Sequence, residues 1–169
     1  MEPIEVILTR WELMTGAICG SMRQIEALLN NSADAHGFNE EHGWNIHIEG
    51  ACAEIAAAKA LQRYWECGVN VFHAPDIGHN IQVRRRSRHD WDLYVRPKDN
   101  PDHLWVLVTG IAPRFVVRGY MLGHEIRREG RQETYGGRPP AWFVSQDKLH
   151  DINDLKYQER QPVRRRPMI

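Results

Sequence analysis

Pro75-Asp76-Ile77-Gly78-His79-Asn80-Ile81-Gln82-Val83-Arg84 sets one carboxylate in a turn directly ahead of an alternating stretch that carries an amide and a guanidinium. Pro, Gly and Asn punctuate the turn, so a strand is predicted over Ile81 to Arg86. Side chains on a strand alternate in direction, which puts Ile81 and Val83 on one face and Gln82, Arg84 and Arg86 on the other. Burying two guanidiniums without counter-charge costs several kcal/mol. The polar face is therefore expected to meet solvent, a ligand, or Asp90 and Asp92 of the next strand. Magnesium-dependent phosphodiester cleavage uses nearly this arrangement, with acidic oxygens holding the ion and a cation steadying charge on the phosphate. An ordinary strand leaving a Pro-Asp turn alternates in the same way.

Upstream, Thr9-Arg10-Trp11-Glu12 has the form of a capping box, and apolar residues recur at Trp11, Met14, Ile18, Met22, Ile25 and Leu29. A helix is predicted from about Arg10 to Leu29. A long polar connection through His36 to Trp44 follows, then a second helix from Ala51 to about Glu66. Its alanines, Ala53, Ala56, Ala57, Ala58 and Ala60, make a flank thin enough for close approach to another element. Glu54 shares a face with Ala57, Ala58, Leu61 and Trp65, and an acid on an apolar stripe needs a positive partner, either an arginine or a metal ion.

From Cys67 the periodicity changes from helical to alternating. Short strands are predicted at about Val69 to His73, Ile81 to Arg86, Trp91 to Arg96, Leu104 to Thr109 and Phe115 to Arg118. The turn chemistry at 87–90 and 97–102 suggests that the middle strands form an antiparallel meander. Leu104 to Val108 is continuously apolar, as expected of a strand covered on both faces. Gly119 to Glu129 reads as a short helix or an irregular edge, and 130–140 as a polar loop. Trp142-Phe143-Val144 suggests one more strand, and Leu149, Ile152 and Leu155 a closing helix. Residues 1–157 are read as a single α/β domain and 158–169, rich in Arg and Pro, as a basic tail.

The 169 residues, 42% hydrophobic, can bury a sizeable core without staples. Lys+Arg 22 balances Asp+Glu 22, so no global field attracts a polyanion and any nucleic-acid affinity must be local. Arg84, Arg85, Arg86 and Arg88 are nearly contiguous, and guanidinium forks suit phosphate oxygens, although such a run also describes a solvated face. Cys19, Cys52 and Cys67 lack C-x-x-C spacing and suggest neither a disulfide framework nor a zinc knuckle. A cytoplasmic location is the natural expectation, and no apolar run is long enough to span a bilayer. Nucleotide-binding loops and nucleophile elbows are not found. His36, His42 and His47 lack zinc-site spacing. Asp90, Asp92, Asp99 and Asp102 read as turn stabilisers. The six tryptophans read as scattered core anchors that do not interleave with the arginines.

In order, the chain shows a helix with an embedded Glu54, a strand, Pro75-Asp76-Ile77-Gly78, Ile81-Gln82-Val83-Arg84, and Leu93 to Asp99 leading to Val106-Leu107-Val108-Thr109-Gly110. In these residues it resembles the PD-(D/E)XK, or restriction-endonuclease-like, superfamily, specifically small phage proteins of that group. The resemblance covers roughly Gly50 to Tyr120. It implies a mixed central sheet flanked by helices, with Mg²⁺ or Mn²⁺ held by Glu54, Asp76 and Gln82, and Arg84 at the place of the motif lysine. Asp76, Gln82 and Arg84 would carry catalysis, Arg84, Arg85, Arg86 and Arg88 would contact DNA, and His79 could orient a water. Gln82 keeps an oxygen ligand but removes a charge, which weakens metal affinity. Arg84 keeps the charge but cannot act as a base. The resemblance implies a metal-dependent nuclease in the host cytoplasm. Its two departures imply the alternative, a non-catalytic phage structural or assembly protein, in the virion, that keeps the fold and binds a phage partner or a second copy of itself.

Overall fold

Residues 2–30, 43–69, 74–135 and 139–158 are described by the structure, a computed structural model. The architecture is mixed α/β, with two sheets and four α-helices among the described residues. In chain order the elements are β1 (Ile4–Ile7), α1 (Arg10–Leu29), α2 (Gly43–Leu61), β2 (Ile81–Arg86), β3 (Leu93–Val95), β4 (Leu104–Ile111), β5 (Arg114–Leu122), α3 (Gly123–Glu129), β6 (Arg131–Glu133), β7 (Ala141–Val144) and α4 (Ile152–Gln158).

The capping box fixes the start of α1: the Thr9 amide donates to Glu12 Oε2 at 2.6 Å and the Glu12 amide donates to Thr9 Oγ1 at 3.3 Å. The second helix begins earlier than expected, at Gly43, and ends at Leu61, so Trp65 lies in the segment beyond it. Nearly every residue of α2 from Ala51 to Leu61 is buried, because it is sandwiched between α1 and the main sheet. The face that α1 turns to α2 has glycines, Gly16 and Gly20, at its closest approach, with Leu13, Cys19 and Gln24 around them. A Cβ on Gly20 would lie 2.4 Å from Ile48 Cα, so the two helix backbones meet where a side chain cannot fit.

The four-stranded sheet has the order β1-β5-β4-β2. The expected antiparallel meander is not formed: β2 pairs with β4 in parallel, Ile81 opposite Leu104 and Arg86 opposite Thr109. The intervening β3 leaves for a second, three-stranded sheet in the order β3-β7-β6. The connection over 87–103 is long enough for that crossover, and parallel neighbours require one. The segment predicted as a strand at Val69 to His73 lies outside the described residues from position 70, as do the tail beyond 158 with Arg164, Arg165 and Arg166, and His36 and His42. The ambiguous stretch from Gly119 resolves into the end of β5 followed by α3.

Strand β4 explains why the core is double. Val106 and Val108 face a cluster with Ala56, Leu61, Ile81 and Phe115, while Trp105 and Leu107 face a second cluster with Leu93, Val95, Ile126 and Val144. The continuously apolar run is thus buried on both sides. Cys52 stays free and buried, whereas Cys19 and Cys67 form a disulfide that ties α1 to the segment after α2, although their spacing suggested no disulfide framework. Their spacing of 48 residues carries no local motif, which is why the pairing was invisible in one dimension. No helix among the described residues is long and apolar enough to cross a membrane.

Candidate functional site

Glu54 projects from the buried stretch of α2, and α1 supplies its partner. Arg23 forks onto the carboxylate, Nη1 to Oε1 at 2.6 Å and Nη2 to Oε2 at 2.8 Å, and its Nε donates to the Gly68 carbonyl at 2.8 Å. Trp65 Nε1 also donates to Oε2, at 3.0 Å. Both oxygens of Glu54 are therefore engaged by a bidentate, charge-assisted pair. The need for a positive partner was legible in the sequence, but the identity of Arg23 was not. The signal was its position beside Gly16, Cys19, Gly20 and Gln24, the residues that mark the covered side of α1.

Asp76 stands at the head of β2. Its amide donates to the Ile81 carbonyl at 2.9 Å, closing the turn, and its Oδ2 accepts the Val83 amide at 2.7 Å. Gly78 allows the turn by taking a left-handed conformation, φ 62°. Burial of the carboxyl and then the charge of Glu54 push Asp76 up to about 7, against the opposing pull of the Val83 amide, Arg23 and Arg84. Asp76 and Glu54 thus share one electrostatic environment, with Arg23 acting on both. Gln82 follows on the same strand and is held by donation of its Nε2 to the Ala74 carbonyl at 3.1 Å. His79 is exposed in the turn.

The strand alternates as expected, but its polar face is covered. Arg84 pairs with Asp99, while its guanidinium lies 4.4 Å from the Trp105 ring centroid and 5.1 Å from that of Tyr94. Arg86 lies 4.5 Å from the Trp91 ring and 5.1 Å from Tyr94. The tryptophans therefore do interleave with the arginines, correcting the expectation that they are scattered. The interleaving is made across strands and between the two sheets, which sequence order conceals. Asp99 supplies the counter-charge of Arg84 in place of Asp90 and Asp92, and guanidinium–aromatic contacts add to the cover of both Arg84 and Arg86. Those two acids go elsewhere, Asp90 to Arg88 and Asp92 to Arg131. Asp99 Oδ2 also accepts the Arg96 amide at 2.7 Å, and Asn100 Oδ1 accepts the Asp102 amide at 2.9 Å, so this loop is turn chemistry.

The remaining arginines of the run do not share one surface. Arg85 points to the α2 side, where it pairs with Glu49 at 3.0 Å and donates to the Gly110 carbonyl at 3.2 Å. Arg88 is exposed with its Asp90 partner. Among the described residues no group of three or more His, Cys, Asp or Glu could hold a metal ion. The structure brings Glu54 and Asp76 into one electrostatic environment at the head of β2, whereas Gln82 and Arg84 alternate with Arg85 on the strand and so lie on the face turned away from α2 and Glu54. No protein-family model, curated protein or solved structure matches the chain.

Proposed function

We propose that the chain is a metal-dependent, nuclease-like protein of restriction-endonuclease-like fold that acts on DNA phosphodiester bonds through Glu54, Asp76, Gln82 and Arg84. The supporting observation is the electrostatic coupling of Glu54 and Asp76 at the head of β2, with the Asp76 carboxyl pushed up to about 7 by burial and by Glu54. A structural acid is normally held low by a directly bonded cation, whereas a strongly raised one beside a second acid is a candidate for chemistry.

Hard oxygen donors suit Mg²⁺ or Mn²⁺. Glu54 and Asp76 fit such an ion on one condition, that Glu54 exchanges Arg23 for it. An ion held between Glu54 and Asp76 would supply a polarised water and neutralise phosphate charge. The Val83 amide orients Asp76 and the Ala74 carbonyl fixes the Gln82 amide. Arg84, locked by Asp99 and two ring faces, offers fixed positive charge and no proton exchange.

The test is nicking of supercoiled plasmid in Mg²⁺ or Mn²⁺ by wild type and by Asp76→Ala, each checked for folding by circular dichroism. Cleavage by wild type alone supports the reading. Cleavage that survives in Asp76→Ala, or folded wild type that leaves plasmid intact in both metals, defeats it.

A second reading, a non-catalytic phage structural or assembly protein, is favoured by one observation: the charges of Glu54 and Arg84 are already paired internally, by Arg23 and Asp99. Under that reading Asp76→Ala leaves function and divalent-ion response unchanged.

A further inference from the structure

The outward face of α1 carries its large apolar residues into solvent. Trp11, Ile18 and Ile25 recur every seven residues and are 72%, 60% and 44% exposed. Met14 and Met22 lie between them at 48% each, and Leu28 at 53% and Leu29 close the stripe. The residues that α1 buries against α2 are instead Gly16, Cys19, Gly20 and Gln24. The helix is thus amphipathic in an inverted sense, with its glycines inside and, Leu13 apart, its large apolar residues outside. Of its four charged residues, Glu12, Arg23 and Glu26 lie off the stripe, and Arg10 stands at its N-terminal edge in line with Leu28, five turns on. Scattered exposed apolar side chains are ordinary, but a contiguous stripe running the length of a 20-residue helix marks an interface.

We infer that α1 pairs with α1 of a second copy of this chain, antiparallel, about a two-fold axis near residues 19 and 20. Two arguments select a second copy. The first is size: covering about 100 Å² on each of the seven side chains removes about 700 Å² per copy and about 1,400 Å² in all, within the range of specific dimers. The second is self-complementarity, which a two-fold interface demands. In the antiparallel register Trp11 meets Leu28 and Leu29, Met14 meets Ile25, and Ile18 packs over the small Ser21, each bulky group opposite an apolar or small one. Arg10 is the charge at the edge of the stripe, and the antiparallel register sets it opposite Leu29 of the second copy, so symmetry brings no like charges together. The spacing at seven residues is that of helices packed side by side.

The experiment is sedimentation equilibrium of the full chain, with Ile18→Glu and Ile25→Glu combined as the disrupting variant. Both positions are exposed in the monomer, so the variant keeps its fold, checked by circular dichroism. Wild type should show twice the chain mass, and the variant should weaken association by about 100-fold or more. Ser21→Cys should cross-link to its own copy on oxidation, whereas Leu29→Cys, about 28 Å from its mate along the axis at 1.5 Å per residue, should not. A monomeric wild type, as when another segment of the chain covers the stripe, overturns the inference. So does a dimer that survives the double variant, and efficient Leu29→Cys cross-linking rejects the antiparallel register.

Discussion

Replacing Arg23 by Met tests the reasoning about the acidic pair. Arg23 makes two bonds to Glu54, at 2.6 and 2.8 Å, and one to the Gly68 carbonyl at 2.8 Å. The side chains of the pair are only 19% and 9% exposed, so solvent replaces little of what is lost. Methionine keeps the bulk of the stem but leaves Glu54 without its cation, and removing one partner of a buried pair costs about 3–5 kcal/mol. The loss should depend on pH. Asp76, already raised to about 7, loses the favourable field of Arg23 in the variant and rises further. A carboxyl raised in the folded state gives stability that is present at low pH and lost as pH rises through its folded value. The deficit should therefore be larger at pH 8 than at pH 5. Urea unfolding followed by tryptophan fluorescence at both pH values measures it. Mg²⁺ at ten times its dissociation constant should restore about 1.4 kcal/mol at pH 8 if the ion can take Arg23's place. A loss below about 1 kcal/mol, of the size expected from an exposed pair, refutes the reasoning. An equal deficit at both pH values refutes it as well.

Three further outcomes follow from the same geometry. Asp76→Asn keeps an acceptor for the Val83 amide and removes the charge. Since wild type loses stability between the ordinary carboxylate range and about 7, the variant should match it at pH 4 and exceed it by about 2–4 kcal/mol at pH 8, and a flat difference across that range in urea melts counts against the raised carboxyl. Gly20→Ala forces a methyl to within 2.4 Å of Ile48 Cα and 2.5 Å of its amide nitrogen, and should cost about 3 kcal/mol; a neutral effect in thermal melts would show that α1 and α2 do not pack this closely. Reduction of the Cys19–Cys67 bridge, which spans 48 residues, should lower stability by about 2–4 kcal/mol, so a urea midpoint unmoved by dithiothreitol argues against the bridge.

Local signals survived translation into structure wherever one residue's chemistry decided the outcome. Thr9 and Glu12 set the start of α1, and the apolar run at Leu104 to Val108 located the central strand between two cores. Pairing was less legible. Whether β2 lies beside β3 or β4 depends on where the connection travels, and the turn residues at 87–90 stabilise either path. The periodicity of α1 was evident, but periodicity does not say which side is covered. Here Gly16 and Gly20 face inward where α2 approaches too closely for a side chain, with Leu13 and Gln24 on the covered side around them and most of the large apolar residues outward. At the site, Glu54's need for a cation followed from its position on an apolar stripe, while Arg23, 31 residues away, was joined to it only by helix packing. The rings over Arg84 come from β3 and β4, so their role emerged only once the second sheet folded over the strand.

The central proposal, that Glu54 and Asp76 can hold a divalent cation in exchange for Arg23, is tested most directly by titrating Mn²⁺ into the protein and following the free-ion signal by electron paramagnetic resonance. One ion per chain should bind wild type at pH 8, more tightly in Arg23→Met and not at all in Asp76→Ala. Absence of binding in both wild type and Arg23→Met, or equal binding in Asp76→Ala, would contradict the claim.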